Sequence, residues 1–135
     1  MSRLYNTRLI ALTTGLPGKW LDNLLSHYQV YGVTKGRQGL GREIADDGLL
    51  AIELVRIMVA EVGASLDTAV DLANRAIQSR SQTEARIATA SGVTIVFHLA
   101  SVEQRLREQM VHAVESVAHV RRGRPPARTR PQPRD

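Results

Sequence analysis

The chain has no cysteine. That excludes disulfides, cysteine-ligated zinc and thiol chemistry. Aromatic residues are almost as scarce: Trp20, Phe97, Tyr5, Tyr28 and Tyr31 are all there are. A core must then be aliphatic, and a hydrophobic fraction of 43% supplies enough Leu, Ile, Val and Ala to fill one. No apolar run approaches the roughly 20 residues that a membrane span requires, and no signal peptide opens the chain. A soluble cytoplasmic protein of one domain, or one small domain with an appendage, is the expectation. Catalytic patterns are missing too. No glycine-rich phosphate loop follows a strand, and there is no nucleophile–base pair and no cluster of carboxylates. His27, His98, His112 and His119 do not make a site, because His112 and His119 lie two helical turns apart, too far to chelate one ion. No enzyme, metal or cofactor is expected.

What the chain does have is segregated charge. Residues 1–42 carry six bases (Arg3, Arg8, Lys19, Lys35, Arg37, Arg42) against Asp22 alone. Residues 43–71 carry seven acids (Glu43, Asp46, Asp47, Glu53, Glu61, Asp67, Asp71) against Arg56. Residues 1–120 sum to zero, so the formal net charge of +5 sits in the last fifteen residues, with six arginines and one aspartate. A front and a tail that are basic, with acid between, suit a protein that meets a polyanion in one orientation.

Periodicity places the elements. Asn6–Thr13 reads as a short helix capped by Asn6, broken by Thr14-Gly15-Leu16-Pro17. Pro17 suits the first turn of a second helix with Trp20, Leu21, Leu24, Leu25 and Tyr28 on its apolar face. Val30–Thr34 and Leu40–Ile44 read as a hairpin around Lys35-Gly36-Arg37-Gln38-Gly39. Asp46 and Asp47 open a helix that is apolar almost all round, with Glu53, Arg56 and Ala60 as its wet stripe; Gly63 ends it. Ser65 caps the next, with Leu66, Ala69, Val70, Ala73, Ala76 and Ile77 on one face. Val93–Phe97 reads as a strand that Arg86–Ala90 pairs across Ser91-Gly92. Ser101-Val102-Glu103-Gln104 has the form of a capping box opening a last helix. From 121 onward Arg, Pro and Gly take over and folding should stop. The fold class expected is therefore mainly α with a small β component: residues 1–78, a strand-helix segment 79–120 and a disordered basic tail 121–135.

Two short helices joined by a tight Gly-containing turn make a helix-turn-helix unit. Together with the run Gly36-Arg37-Gln38-Gly39-Leu40-Gly41-Arg42 and the stretch Glu61-Val62-Gly63-Ala64-Ser65-Leu66-Asp67-Thr68-Ala69, residues 7–77 resemble the DNA-binding domain of MerR-like winged-helix regulators. The resemblance implies a second helix in the major groove and a basic wing on the flanking phosphates. The chemistry of the residues agrees. Lys19, Asn23, Ser26 and His27 lie opposite the apolar face, near Trp20. Asn pairs bidentately with adenine, and Lys reaches guanine or phosphate. Lys35, Arg37, Gln38 and Arg42 supply polar and cationic wing contacts. Asp22 is the one acid on this face, with Lys19 or Arg42 as its partner.

In the tail, Arg122-Gly123-Arg124 forms the centre of an AT-hook-like core, suited either to A·T-rich minor grooves or to general attraction to the backbone. Leu106, Met110, Ala113, Val117 and Val120 step by 4, 3, 4 and 3, which is a seam for a second copy or a face packed on the chain's own core. The reading is a dimeric, sequence-specific protein of double-stranded DNA, a transcriptional regulator of nucleoid-associated location. The alternative is an antitoxin-like or adaptor module whose residues 79–120 bind another protein.

Overall fold

The computed structural model describes residues 4–34 and 41–123, with side chains up to Ser116 in the last helix. Lys35, Arg37, Gln38 and Arg124 lie outside the described residues. The described part is mainly helical, with two small antiparallel sheets. Its elements are β1 (Leu4–Tyr5), α1 (Thr7–Thr14), α2 (Gly18–His27), β2 (Val33–Thr34), β3 (Glu43–Ala45), α3 (Asp46–Ile57), α4 (Leu66–Gln78), β4 (Ala85–Ala88), β5 (Thr94–Phe97) and α5 (Leu99–Gly123).

The capping chemistry acts as expected in α1 and α4. Asn6 Oδ1 accepts from Leu9 N at 2.9 Å, and Ser65 Oγ accepts from Thr68 N at 3.2 Å. Asp46 and Asp47 sit in the first turn of α3, where the helix dipole favours them. Ile52, Leu50, Val55 and Ala51 of α3 are fully or almost fully buried, and Ile10, Leu21, Leu24, Val30, Ala73 and Leu106 belong to the same cluster. A single apolar centre thus runs from residue 10 to residue 106, with α3 as its axis. α3 does not stop at Ile57. It widens into a π turn over Met58–Val62, which Gly63 closes in the left-handed region.

The structure departs from the sequence expectations in several places. The hairpin strands are shorter and later, β2 at Val33–Thr34 and β3 at Glu43–Ala45, because residues 28–32 are held as a turn. There Asn74 on α4 donates from Nδ2 to the Gln29 carbonyl and accepts from Tyr31 N, both at 2.8 Å. The Tyr28 hydroxyl donates to Asp67 on the same helix, which holds the phenol above its ordinary value of about 10. β1, unforeseen, pairs with the other side of β3 through Leu4↔Ala45 and Tyr5↔Ile44, giving the order β1-β3-β2.

Glu53 is not on a wet stripe: it is 0% exposed. Arg56 Nε and Nη2 grip its two oxygens at 2.8 and 2.7 Å, and Arg105 of α5 stands 3.9 Å away. The Arg56 guanidinium is correspondingly held more basic than usual by that bond to Glu53.

The last helix starts at Leu99 rather than at a Ser101 cap. Leu99 is fully buried, Ala100 N–H is taken by the Thr83 carbonyl at 3.0 Å, and His98 O accepts from Ser101 and Val102. Gln104, the other member of that box, instead donates to Glu108 at 3.2 Å and accepts from Arg107 at 2.7 Å, while Glu103 takes Arg80 at 3.0 and 3.1 Å. α5 also runs on to Gly123, past the expected stop at 121. Arginine is a good helix former, so Arg121 and Arg122 continue the helix.

Candidate nucleic-acid interface

α1 and α2 are joined by a turn that the chain fixes at both ends. Gly15 caps α1 at φ +78°, with its N–H on the Ala11 carbonyl, and Pro17 precedes α2 in extended geometry. Leu21, Leu24 and Leu25 pin the inner face of α2 into the core. The 3.6 period then forces Lys19, Asn23, Ser26 and His27 outward, and all four are exposed. Trp20 is half-buried and packs against the core cluster. His27 Nδ1 lies 2.8 Å from the Asn23 carbonyl, one turn back on the same helix, which ties its ring to the helix surface.

Arg42 joins this helix to the base of the hairpin. Its Nη2 donates to Ser26 Oγ at 2.9 Å, and Nη1 stands 3.6 Å from Asp22 Oδ1. Of the two partners that the sequence left open for Asp22, the structure has Arg42. The acid on the outer face of α2 is therefore neutralised locally, and Ser26 and Arg42 spend their contacts on each other. Lys19, Asn23 and His27 remain as the outward polar groups of α2. Beyond Arg42, the chain from 35 to 40 connects β2 to β3, whose pairing Val33↔Ile44 and Thr34↔Glu43 fixes where that connection leaves the fold. Arg8 is also exposed, on α1 beside the groove that it shares with Leu16, Gly18 and Asp22.

Comparison with known proteins gives no match: no family model, no curated protein and no solved structure is similar to this chain. The site stands on its own geometry.

Two groups of expected site residues are placed differently. Leu106 and Ala113 are buried within their own chain, and Met110 packs against the same core. These three face α1 and α3 rather than another copy, because the aliphatic centre is open on that side until α5 covers it. The side chains of Val117 and Val120 lie outside the described residues. Arg122 and Gly123 form the last turn of α5, whereas an AT-hook core needs extended backbone there. The residues that sequence reasoning missed are Tyr28, Asn74 and Asp67, which bind the turn after α2 to α4. The signal was present in the sequence as polar positions on an otherwise apolar pattern, but nothing in the spacing says which loop they reach.

No group of three or more His, Asp or Glu side chains close enough to hold a metal ion occurs among the described residues, and no helix among them is long and apolar enough to cross a membrane.

Proposed function

We propose that the chain binds double-stranded DNA as a winged helix-turn-helix, with α2 in the major groove and the β2–β3 connection on the flanking phosphates, and that it serves as a transcriptional regulator. The observation that carries this reading is the Arg42 bridge. It ties α2 to the base of the hairpin, pairs the one carboxylate on the groove-facing surface with a cation, and leaves Lys19, Asn23 and His27 projecting from one side of the helix. A groove-reading helix needs polar side chains on one outward stripe and a fixed relation to the neighbouring phosphate contacts. Lys35 and Arg37 lie in the chain between the two strands, where cations add affinity that is independent of sequence.

Asn23 should choose the site, and the tail should set only the tightness. In selection from random duplexes, Asn23→Ala should lose about 1–3 kcal/mol of discrimination at one base pair. Deletion of residues 121–135 should weaken binding evenly across sequences. A tail deletion that rewrites the preferred site while Asn23→Ala preserves it would reverse these roles.

A second copy is the partner favoured by the outer face of α5, where Val111 and Val114 are 56% and 50% exposed. An antiparallel pairing centred on Val111 sets Arg107 against Glu115 of the other copy, four residues either side of the centre. Sedimentation should show a dimer at tens of micromolar that Val111→Glu/Val114→Glu splits into folded monomers, since unpaired carboxylates would be desolvated in the contact. A monomeric wild type at that concentration contradicts the pairing.

A further inference from the structure

A cleft of about 460 Å³ opens where the first turn of α3 meets the first half of α5, with Tyr5 of β1 at its side. Its floor is apolar: Leu49, Leu50 and Leu106 are buried there, and Met110 is half-buried against the same core. Val111 stands at the outer rim. The size and the apolar floor are those of sites for small organic molecules, in which a few polar groups fix the orientation.

Charge selects what fits. Two acids and one base line the cleft: Asp46, Glu103 and Arg107. Glu103 and Arg107 have the i, i+4 spacing at which an acid and a base on one helix can pair. They do not pair here, because Arg80 takes both oxygens of Glu103. Arg107 donates to the Gln104 amide oxygen and has no carboxylate partner among the described residues. It is exposed, and a guanidinium has five N–H donors, so the contact with Glu115 in the α5 pairing leaves others for a ligand. Asp46 is exposed as well. The Tyr5 hydroxyl donates to its Oδ1 at 2.6 Å, and its Oδ2 has no partner among the described residues. The open guanidinium suits a carboxylate, the open carboxylate oxygen suits an ammonium, and the floor suits a hydrocarbon body. A ligand with a carboxylate alone would face two acids, and one with an ammonium alone would face Arg107.

We infer that this cleft binds a small apolar α-amino acid as its zwitterion, with the carboxylate on Arg107, the ammonium on Asp46 and the side chain on Leu49, Leu50, Leu106 and Met110. The site rests on neither the DNA reading nor the pairing of α5, and its test uses no DNA. The full chain is titrated with L-phenylalanine, sodium 3-phenylpropionate, 2-phenylethylammonium chloride and glycine at matched ionic strength, following amide chemical shifts. Phenylalanine should give saturable shifts confined to Tyr5 and residues 46–50 and 103–111. Each of the other three lacks one of its contacts and should bind about tenfold more weakly or worse. Arg107→Gln should weaken phenylalanine by about tenfold and leave 2-phenylethylammonium no weaker than before. Asp46→Asn should weaken phenylalanine likewise and leave 3-phenylpropionate no weaker. Both replaced side chains are exposed, so the variants keep the fold. No saturable response to phenylalanine overturns the assignment. So does an analogue that binds as tightly, or a phenylalanine affinity unchanged in Arg107→Gln or in Asp46→Asn.

Discussion

Gly32→Ala should destabilise the protein by about 2–5 kcal/mol, enough to unfold a domain of ordinary stability. Two costs combine. Gly32 sits at φ +85°, where a side chain is strained by about 1–2 kcal/mol. A Cβ there would also meet the first turn of α3, 2.7 Å from Gly48 Cα and 2.9 Å from the Asp47 carbonyl carbon. That backbone cannot move aside, because the Gly32 carbonyl takes the Ala45 N–H at 2.8 Å and so joins the turn to β3. Gly48 is the other half of the same approach: its own Cβ would come within 2.7 Å of the Gly32 carbonyl oxygen. Gly15→Ala is the matched control, with φ +78° but nothing within 4 Å of the new methyl. It should cost only about 1–2 kcal/mol. Urea unfolding of the two variants separates backbone strain from close approach, and equal losses would show that the contact with α3 is not tight.

Arg56→Ala should be nearly as severe, at about 3 kcal/mol, because it strands the buried Glu53 carboxylate with only Arg105, 3.9 Å away. The cost belongs to the uncompensated charge rather than to the pair. Glu53→Leu/Arg56→Leu should therefore lie within about 1 kcal/mol of wild type, since replacing both partners removes the need to desolvate either. Denaturation at neutral pH tests both. A single substitution costing under about 0.5 kcal/mol would mean that water reaches Glu53.

Much of this architecture was legible in the residues, and the reasons differ from element to element. α1 and α4 declare themselves by side-chain caps, Asn6 and Ser65, which act within three residues and need no tertiary information. α2 shows its face through Leu21, Leu24, Leu25 and the outward Lys19 and Asn23, because a 3.6 period survives in the sequence. Glu53 misleads for the opposite reason. A carboxylate reads as wet until a second helix from far along the chain, α5, brings Arg105 beside the pair that Arg56 makes. Ser101 misleads in the same way: its capping pattern is local, but the buried Leu99 and the Thr83 carbonyl decide where α5 begins. β1 is two residues long and has no periodic signal, so only its partner β3 reveals it. The seam along Leu106, Met110 and Ala113 carries the same apolar spacing whether it meets its own core or another copy, and packing against α1 and α3 settles which. Of the candidate interface, the outward stripe of α2 was readable, and the Arg42 bridge was one of two options.

The most direct test of DNA binding is the salt dependence of affinity for a random duplex, measured for the full chain and for Lys35→Ala/Arg37→Ala. Each phosphate neutralised contributes a slope of about −0.9 in log affinity against log salt. The wild type should bind with a steep negative slope, and the double variant should bind more weakly on every sequence with the slope flattened by about two such contacts. Absence of duplex binding at low salt, or an affinity and slope unchanged in the double variant, would contradict the account.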